Sequence, residues 1–351
     1  MPRDRILVTS PLEPEHVARI RGAADPIPVE YHPDLLPRAR YPADHTGAPL
    51  ERSPADEARW RDLLGAATIL FDFDPTHRDD LPELAPRVRW VQATSAGIGQ
   101  FVRRTRYAER WPGAVFTTAS GVHARPLAEW SLLAMLSHVR GLLQIREAQA
   151  RRRWERFAGS DLEGRTALVV GMGAIGTEVG RLARAFEMTV LGIKRSPVGV
   201  NPASLHAHEL GGPADLHRFL PRADFLVLAT PHTDETEGMM GEAELRALPP
   251  GAVLINVGRG SLVDEPALVQ ALTPPPAGTG HLGGAWLDVF ATEPLPAESA
   301  LWTLPNVVVS PHSASTSDRE NTRITDIFCE NLRRDREGEP LRNVLDTQRL
   351  Y

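Results

Sequence analysis

Cysteine is almost missing from this 351-residue chain, where Cys329 stands alone. A lone cysteine forms no internal disulfide and leaves no basis for a Cys-based zinc cluster or a CxxC redox pair. No stretch approaches the ~18 uninterrupted apolar residues that a membrane-spanning helix requires. A strong charge of either sign is also lacking: 39 Lys and Arg face 45 Asp and Glu, for a formal net charge of -6. That balance gives no general reason to expect nucleic acid or an anionic membrane as a partner. The first ten residues carry Arg3, Asp4 and Arg5 and then Ile6, Leu7 and Val8, without the apolar core and small-residue cleavage site of a secretory signal. A reducing, cytoplasmic setting is the expectation. No internal repeat is visible.

Proline, in contrast, is abundant, with 31 residues where average usage would give roughly 18. With 42% apolar residues the chain is not disordered throughout, so the excess belongs in loops. Much of it falls in residues 32–54, with Pro33, Pro37, Pro42, Pro49 and Pro54, and at Pro274-Pro275-Pro276. Segment 32–54 reads as a long surface loop, of a length that tends to be functional or mobile.

At roughly 150 residues per domain the length predicts about two domains. Strands are expected at residues 5–9, 68–73 and 88–92, with a helix at 15–21. From Arg125 the texture changes. Pro126 fits the first turn of a helix running through Trp130, Leu133 and Leu136 to about Arg153. The basic tail Arg151-Arg152-Arg153 reads as a solvated helix face. Beyond Asp161, apolar strands at 166–170, 189–193, 225–229, 253–257, 285–289 and 307–309 alternate with helical patterns at 214–220, 242–248 and 265–272. A last helix is expected at about 316–336. Alternation of this kind means α/β: a parallel sheet covered on both faces.

Gly171-Met172-Gly173-Ala174-Ile175-Gly176 follows one of these strands and opens a helix. In that setting the first glycine allows a tight turn, the second lets the backbone approach a pyrophosphate, and the third lets helix and strand pack closely. The N–H groups at the helix start would then face the phosphates. About 20 residues on, an acid would hold the ribose 2′-hydroxyl of NAD. Here the strand ends instead in Lys194, Arg195 and Ser196, which could hold a 2′-phosphate that a carboxylate would repel. The expectation is NADP(H), with NAD(H) as the alternative if these three form only a solvated turn.

Ordered pieces along nearly the whole chain resemble the D-isomer-specific 2-hydroxyacid dehydrogenase family. They are Ala96-Gly97-Ile98-Gly99, Ala128-Glu129, the glycine loop, Thr230-Pro231-His232-Thr233, Asn256-Val257-Gly258-Arg259-Gly260, Leu287-Asp288-Val289-Phe290 with Glu293-Pro294, and Pro311-His312. The resemblance implies two Rossmann-like, doubly wound parallel-sheet domains with a cleft between them. The substrate domain would be discontinuous, residues 1–125 plus 315–351, with the NAD(P)-binding domain at 126–314. It implies hydride transfer between NAD(P)H and a small 2-oxo acid or D-2-hydroxy acid, running as a glyoxylate/hydroxypyruvate-type reductase.

By the same resemblance Arg259 clamps the substrate carboxylate and polarises the ketone. His312 is the general acid, and Glu293 is the carboxylate that favours its imidazolium and orients its ring. Thr230, Pro231, Val257, Gly258 and Asp288 join Gly171 to Gly176 and Lys194 to Ser196 as cofactor residues. Asp288 has the alternative of merely ending its strand. Ala96, Gly97, Ile98 and Gly99 would hold the substrate carboxylate with backbone N–H groups, although Gly99 stands where the family often has an acid. A homodimer through the helix near Trp130 to Trp154 is implied. No metal is expected, because His206-Ala207-His208 and His232 lack an adjacent acidic or cysteine ligand cluster. A second use of the scaffold, as a dinucleotide-sensing binding protein, is not excluded by these residues. Specificity would depend on apolar side chains lining the cleft, with Leu301, Trp302 and the region of Tyr41 as candidates.

Overall fold

Runs such as Ile6-Leu7-Val8, Ile69-Leu70-Phe71 and Leu254-Ile255 are fully buried. Strands apolar on both faces must be covered on both sides, and the computed structural model, which describes residues 4–350, shows how. The chain forms two compact units, Met1–His123 with Thr316–Tyr351, and Ala124–Ser315.

The first unit runs β1 (Ile6–Val8), α1 (Pro14–Ala24), β2 (Val29–Glu30), α2 (Pro54–Ala66), β3 (Ile69–Phe71), α3 (Leu81–Leu84), β4 (Trp90–Gln92), α4 (Gly99–Thr105), α5 (Tyr107–Arg110) and β5 (Val115–Thr117). Its five strands are parallel in the order β2-β1-β3-β4-β5, the flavodoxin-like doubly wound arrangement. The second unit runs α6 (Ala124–Val139), α7 (Leu142–Ala150), β6 (Thr166–Val170), α8 (Ala174–Ala185), β7 (Thr189–Ile193), β8 (Glu209–Gly211), α9 (Leu216–Phe219), β9 (Phe225–Leu228), α10 (Glu242–Ala247), β10 (Val253–Asn256), α11 (Glu265–Leu272), β11 (Gly284–Leu287) and β12 (Val307–Val309). Its order is β12-β11-β10-β9-β6-β7-β8, again parallel. The order reverses between β6 and β9, which is where open α/β sheets bind ligands at the carboxyl ends of their strands.

The chain then returns to the first unit as α12 (Glu320–Glu337). Ile324, Phe328 and Leu332 recur at i, i+4 and i+8 and are all fully buried, the stripe of a helix laid on a core. Phe328 meets Phe71 edge-on at 5.2 Å and Trp90 at 5.1 Å. Arg89 adds an ion pair to Asp4 at 3.0 Å and one to Asp335 at 2.7 Å, tying both ends of the chain to one sheet.

Two expectations change. The helix drawn from Pro126 to Arg153 is two helices, interrupted at Gly141, whose φ of +63° breaks the turn. Of these, α7 buries none of its residues within the chain. Segment 32–54 is built into the first unit rather than loosely attached: Leu35 and Leu36 are core residues, and the Asp44 carboxylate is buried. That carboxylate accepts from Arg40 N, Arg40 Nε, Thr46 N and Gly47 N. Beyond it, α2 begins at an N-cap, Ser53, whose hydroxyl accepts from Asp56 N at 3.2 Å.

Because α12 is anchored by one aromatic contact set, Phe328→Ala should cost about 3–5 kcal/mol through the cavity it leaves. Calorimetry should show a clear drop in Tm. An unchanged Tm would mean that α12 contributes little to the first unit.

Candidate active site

In the second unit, β6 delivers the glycine loop. Gly171 has φ of +105°, and a Cβ there would meet the Ala229 carbonyl carbon at 2.7 Å. A Cβ at Gly176 would meet the Gly171 carbonyl oxygen at 2.2 Å. Both positions are glycine because backbone crowds them. Gly173 differs: a Cβ there would meet nothing within 4 Å, so its bare backbone faces open space. Met172 is buried against Gly192. Ala174 and Ile175 begin α8, whose first N–H groups have no intrahelical acceptor.

Across from the loop, at the end of β9, the Thr230 hydroxyl is buried without a hydrogen-bond partner. Pro231 follows, its carbonyl accepting from Thr236 Oγ1 at 2.8 Å. The open backbone at Gly173 and the orphaned hydroxyl at Thr230 both fit a bound dinucleotide. At the end of β7, Lys194 Nζ lies 3.4 Å from the Met172 carbonyl oxygen, while Arg195 and Ser196 are exposed. On neighbouring β8 the Glu209 carboxylate is tied to Arg222 and Arg218.

At the end of β10 a buried asparagine shapes the next turn. Asn256 Nδ2 donates to the Arg259 carbonyl oxygen at 2.9 Å, and its Oδ1 accepts from Gly258 N at 3.1 Å. Val257 is buried beside it. Arg259 Nη1 donates to the Gly258 carbonyl at 2.6 Å. Burial lowers the Arg259 pKa from its usual high value, and the charge of Glu293 works against that shift. A Cβ at Gly260 would meet the Phe290 carbonyl carbon at 1.8 Å, so only glycine lets the Arg259 turn pack on the loop that carries Glu293.

The end of β11 does the same for His312. The buried Asp288 uses one oxygen, Oδ1, to accept from Ser310 Oγ at 2.6 Å, Ser313 N at 2.8 Å and Ala314 N at 2.9 Å. Its carbonyl accepts from His312 N at 3.0 Å. Wrapped this way, His312 takes φ of +53°, a conformation uncommon for residues other than glycine and met at functional turns. His312 Nδ1 then lies 2.7 Å from Glu293 Oε2, while Glu293 Oε1 accepts from Phe290 N at 3.1 Å.

The electrostatics follow from these contacts. The hydrogen bond to Glu293 raises the His312 pKa above the usual imidazole value, against burial; the charges of Glu293 and Asp288 add to the rise and Arg259 opposes it. Burial alone would raise Glu293, but the bonds from His312 and Phe290 N and the charges of His312 and Arg259 hold it below the ordinary carboxylate range. Burial pushes Asp288 up, although its three hydrogen bonds and the His312 charge resist.

In the first unit the loop after β4 carries the other predicted group. Gly97 N already donates to Ser95 Oγ at 3.2 Å, while among the described residues no partner takes the N–H of Ala96 or Ile98. Ile98 is buried in the core. A Cβ at Gly99 would meet the Leu350 carbonyl oxygen at 2.0 Å, which is why no acid stands there. Leu301, a specificity candidate from sequence, is instead a core residue of the second unit, and Trp302 Nε1 donates to the Pro296 carbonyl. His208 Nδ1 accepts from Val190 N and His232 contacts Ser261; among the described residues no His, Cys, Asp and Glu group has the makeup of a metal site. Asn256 stands in one of the family-like pieces of the sequence without a role of its own there, although a polar residue ending an otherwise apolar strand was the visible sign of one.

Known proteins resemble this chain in sequence and in fold. The sequence profile of "D-isomer specific 2-hydroxyacid dehydrogenase, NAD binding domain" matches residues 132–314. The glyoxylate reductase of Korarchaeum cryptofilum is 32% identical over 281 residues, 76% of this chain and 78% of that protein. A glyoxylate/hydroxypyruvate reductase B of Pectobacterium carotovorum is 32% identical over 277 residues, 77% and 83% of the two. Among solved structures, the NADPH-dependent glyoxylate/hydroxypyruvate reductase of Sinorhizobium meliloti, in complex with NADP and sulfate, superposes with a TM-score of 0.77 at 26% identity, covering 99% of this chain and 100% of that one. A D-isomer specific 2-hydroxyacid dehydrogenase of Xanthobacter autotrophicus in complex with NADPH and MES gives 0.78 at 27%, covering 99% and 100%. The chain belongs to the D-isomer specific 2-hydroxyacid dehydrogenase family and carries its NAD(P)-binding domain in the second unit.

Proposed function

We propose that the protein is a 2-oxo acid reductase of the glyoxylate/hydroxypyruvate type, with residues 126–314 as its NAD(P) domain and residues 1–125 plus 315–351 as its substrate domain. The observation that carries this reading is the His312–Glu293 pair at 2.7 Å, in the same unit as Arg259 and close enough for Arg259 to act on both charges. When bound, the nicotinamide supplies the hydride for the 2-carbon of the oxo acid. The chain supplies the rest. Arg259 binds the substrate carboxylate and polarises the ketone with a fixed cation. His312 has its Nδ1 committed to Glu293, so Nε2 is the nitrogen that hands a proton to the ketone oxygen. Glu293 keeps the ring charged and aimed. In the first unit, the N–H groups of the loop from Ala96 to Gly99 are proposed for the carboxylate.

For the cofactor, the start of α8 from Gly173 to Gly176 takes the pyrophosphate, and Thr230, Pro231, Val257, Gly258 and Asp288 Oδ2 line the remainder. Lys194, Arg195 and Ser196 favour NADP over NAD, since no acid at the end of β7 competes for the ribose. The relatives of known structure bound to NADP or NADPH are in keeping with this choice. A homodimer is also proposed. Leu133, Leu142, Ile145, Trp154 and Phe157 leave apolar surface exposed on α6, α7 and the segment after them, with Trp154 94% exposed, more than an isolated chain usually shows in one place.

His312→Gln or Arg259→Ala should lower reduction of glyoxylate or hydroxypyruvate by at least ~100-fold; near-normal turnover in either folded variant would refute that residue's role. Binding of NADPH without turnover of any 2-oxo acid would favour a dinucleotide-sensing protein. Reduction needs protonated His312, whose pKa is raised, so activity should fall only above the usual imidazole range. Removing the partner charge in Glu293→Gln should move that fall to lower pH; an unmoved profile would separate Glu293 from His312.

The Lys194→Ala/Arg195→Ala variant should lose about 10–100-fold in kcat/KM for NADPH, the worth of charge-assisted hydrogen bonds, with a much smaller change for NADH. Wild-type enzyme that uses NADH as well as NADPH would overturn the preference. Sedimentation should give a dimer that Trp154→Glu converts to monomer, whereas a monomeric wild type would remove the dimer proposal.

A further inference from the structure

The residues after α12 are held more closely than an exposed tail requires. Asn331 receives the returning chain: its Oδ1 accepts from Arg342 N at 2.8 Å, and its Nδ2 donates to Gln92 Oε1 at the end of β4 at 3.1 Å. The chain then lies antiparallel along β5. Thr118 N donates to the Asn343 carbonyl at 2.9 Å and Leu345 N to the Phe116 carbonyl at 2.8 Å, and Thr117 pairs with Val344. Leu345 enters the core that holds Ile98 and Val102. At Asp346 the chain turns. Asp346 Oδ1 accepts from Gln348 N and Arg349 N, both at 2.9 Å, and the Asp346 carbonyl accepts from Leu350 N at 2.7 Å.

This turn delivers Leu350 onto Gly99. Leu350 is buried with φ of +67°, a conformation that leucine seldom adopts unless its surroundings impose it. Its carbonyl oxygen, carbonyl carbon and Cβ all lie within 2.7 Å of where a Cβ on Gly99 would be, so the two backbones touch. Gly99 closes the loop proposed for the substrate carboxylate. The entrance of that loop is fixed separately: the Asp72 carboxylate accepts from Thr94 N and Thr94 Oγ1, and the Ser95 carbonyl accepts from Ala119 N at 3.1 Å. Between these supports Gly97 is exposed, and Ala96 N and Ile98 N have no partner among the described residues. Two N–H groups grip an anion together only while the backbone between them keeps one arrangement, and a binding loop keeps it when neighbouring residues lock it in place. The tail holds the exit.

We propose that residues 343–350 are a positioning strap for the substrate loop: by seating Leu350 on Gly99, they keep the Ala96 and Ile98 N–H groups aimed at the carboxylate of the 2-oxo acid. They act through the loop and not on the substrate itself. This inference rests on the reductase reading above and adds the residues on which carboxylate affinity depends. The carboxylate is held alike before and during hydride transfer, so loosening its seat removes uniform binding and acts on KM more than on kcat.

Three variants loosen the strap in different ways. Asp346→Ala removes the oxygen that forms the turn, from an exposed position; deletion of residues 347–351 removes Leu350 outright; Gly99→Ala pushes it away. In each, the KM for glyoxylate or hydroxypyruvate should rise at least ~10-fold, the worth of one charge-assisted hydrogen bond, with a smaller fall in kcat and a KM for NADPH within ~3-fold of wild type. Asp346→Asn, which keeps an accepting oxygen, should recover most of the wild-type KM. Gly99→Ala combined with the deletion should cost no more than the deletion alone, since both act through one contact. An oxo-acid KM left unchanged by Asp346→Ala, equal rises in KM for oxo acid and NADPH, a loss confined to kcat, or full additivity in the combined variant would each overturn the strap. Asp346→Ala decides the matter if the deletion does not fold. An unmoved oxo-acid KM in an otherwise active reductase sinks the strap alone, whereas wild-type protein that turns over no 2-oxo acid sinks it together with the reductase reading.

Discussion

One oxygen atom, Asp288 Oδ1, organises the end of the second unit. It sits on a buried residue and accepts from Ser310, Ser313 and Ala314, so the chain leaving β12 must fold around it. Three donors on one oxygen offset much of the desolvation cost of a buried carboxylate. They also give His312 the left-handed backbone that points its ring at Glu293. Without that turn the histidine and the acid, 19 residues apart in sequence, would have no reason to meet. The distance of 2.7 Å between them is thus set by a third residue that touches neither side chain by hydrogen bond.

The same construction recurs at the neighbouring strand. Asn256 ends β10 as Asp288 follows β11, and its amide braces the turn that carries Arg259 from both sides. Gly260 then lets that turn press against the backbone at Phe290. A parallel sheet brings the carboxyl ends of its strands to one edge, and a polar residue buried at each end converts a flexible exit into a defined one. The proposed clamp and proton donor inherit their positions from these supports. That is why the proposed catalytic side chains can remain partly exposed and still be held.

Much of this was readable in advance, and the reasons are specific. The alternation of apolar strands and amphipathic helices after Asp161 is a periodic signal, and the second sheet follows it strand by strand apart from the short edge strand β8. The glycine loop was legible because crowding at Gly171 and Gly176 excludes every other residue. What was missed lacks periodicity. β2 has only two residues, and β5 opens on the exposed Val115 and closes on Thr117, so neither presents an apolar run. The break at Gly141 hides in a segment whose hydrophobic spacing continues across it. Leu301 looked like a cleft residue because sequence cannot say which side of a short turn faces the core. Residues 32–54 looked loose because their order comes from side chains, chiefly Asp44 and Arg52, and not from backbone repeats.

That last segment shows where sequence pattern and function part. Its backbone has almost no regular structure, yet Asp44 satisfies several of its N–H groups at once and Leu35 and Leu36 anchor it in the core. Its order is therefore carried by side-chain chemistry: one buried acid does for these turns what a ladder of backbone bonds does for a strand.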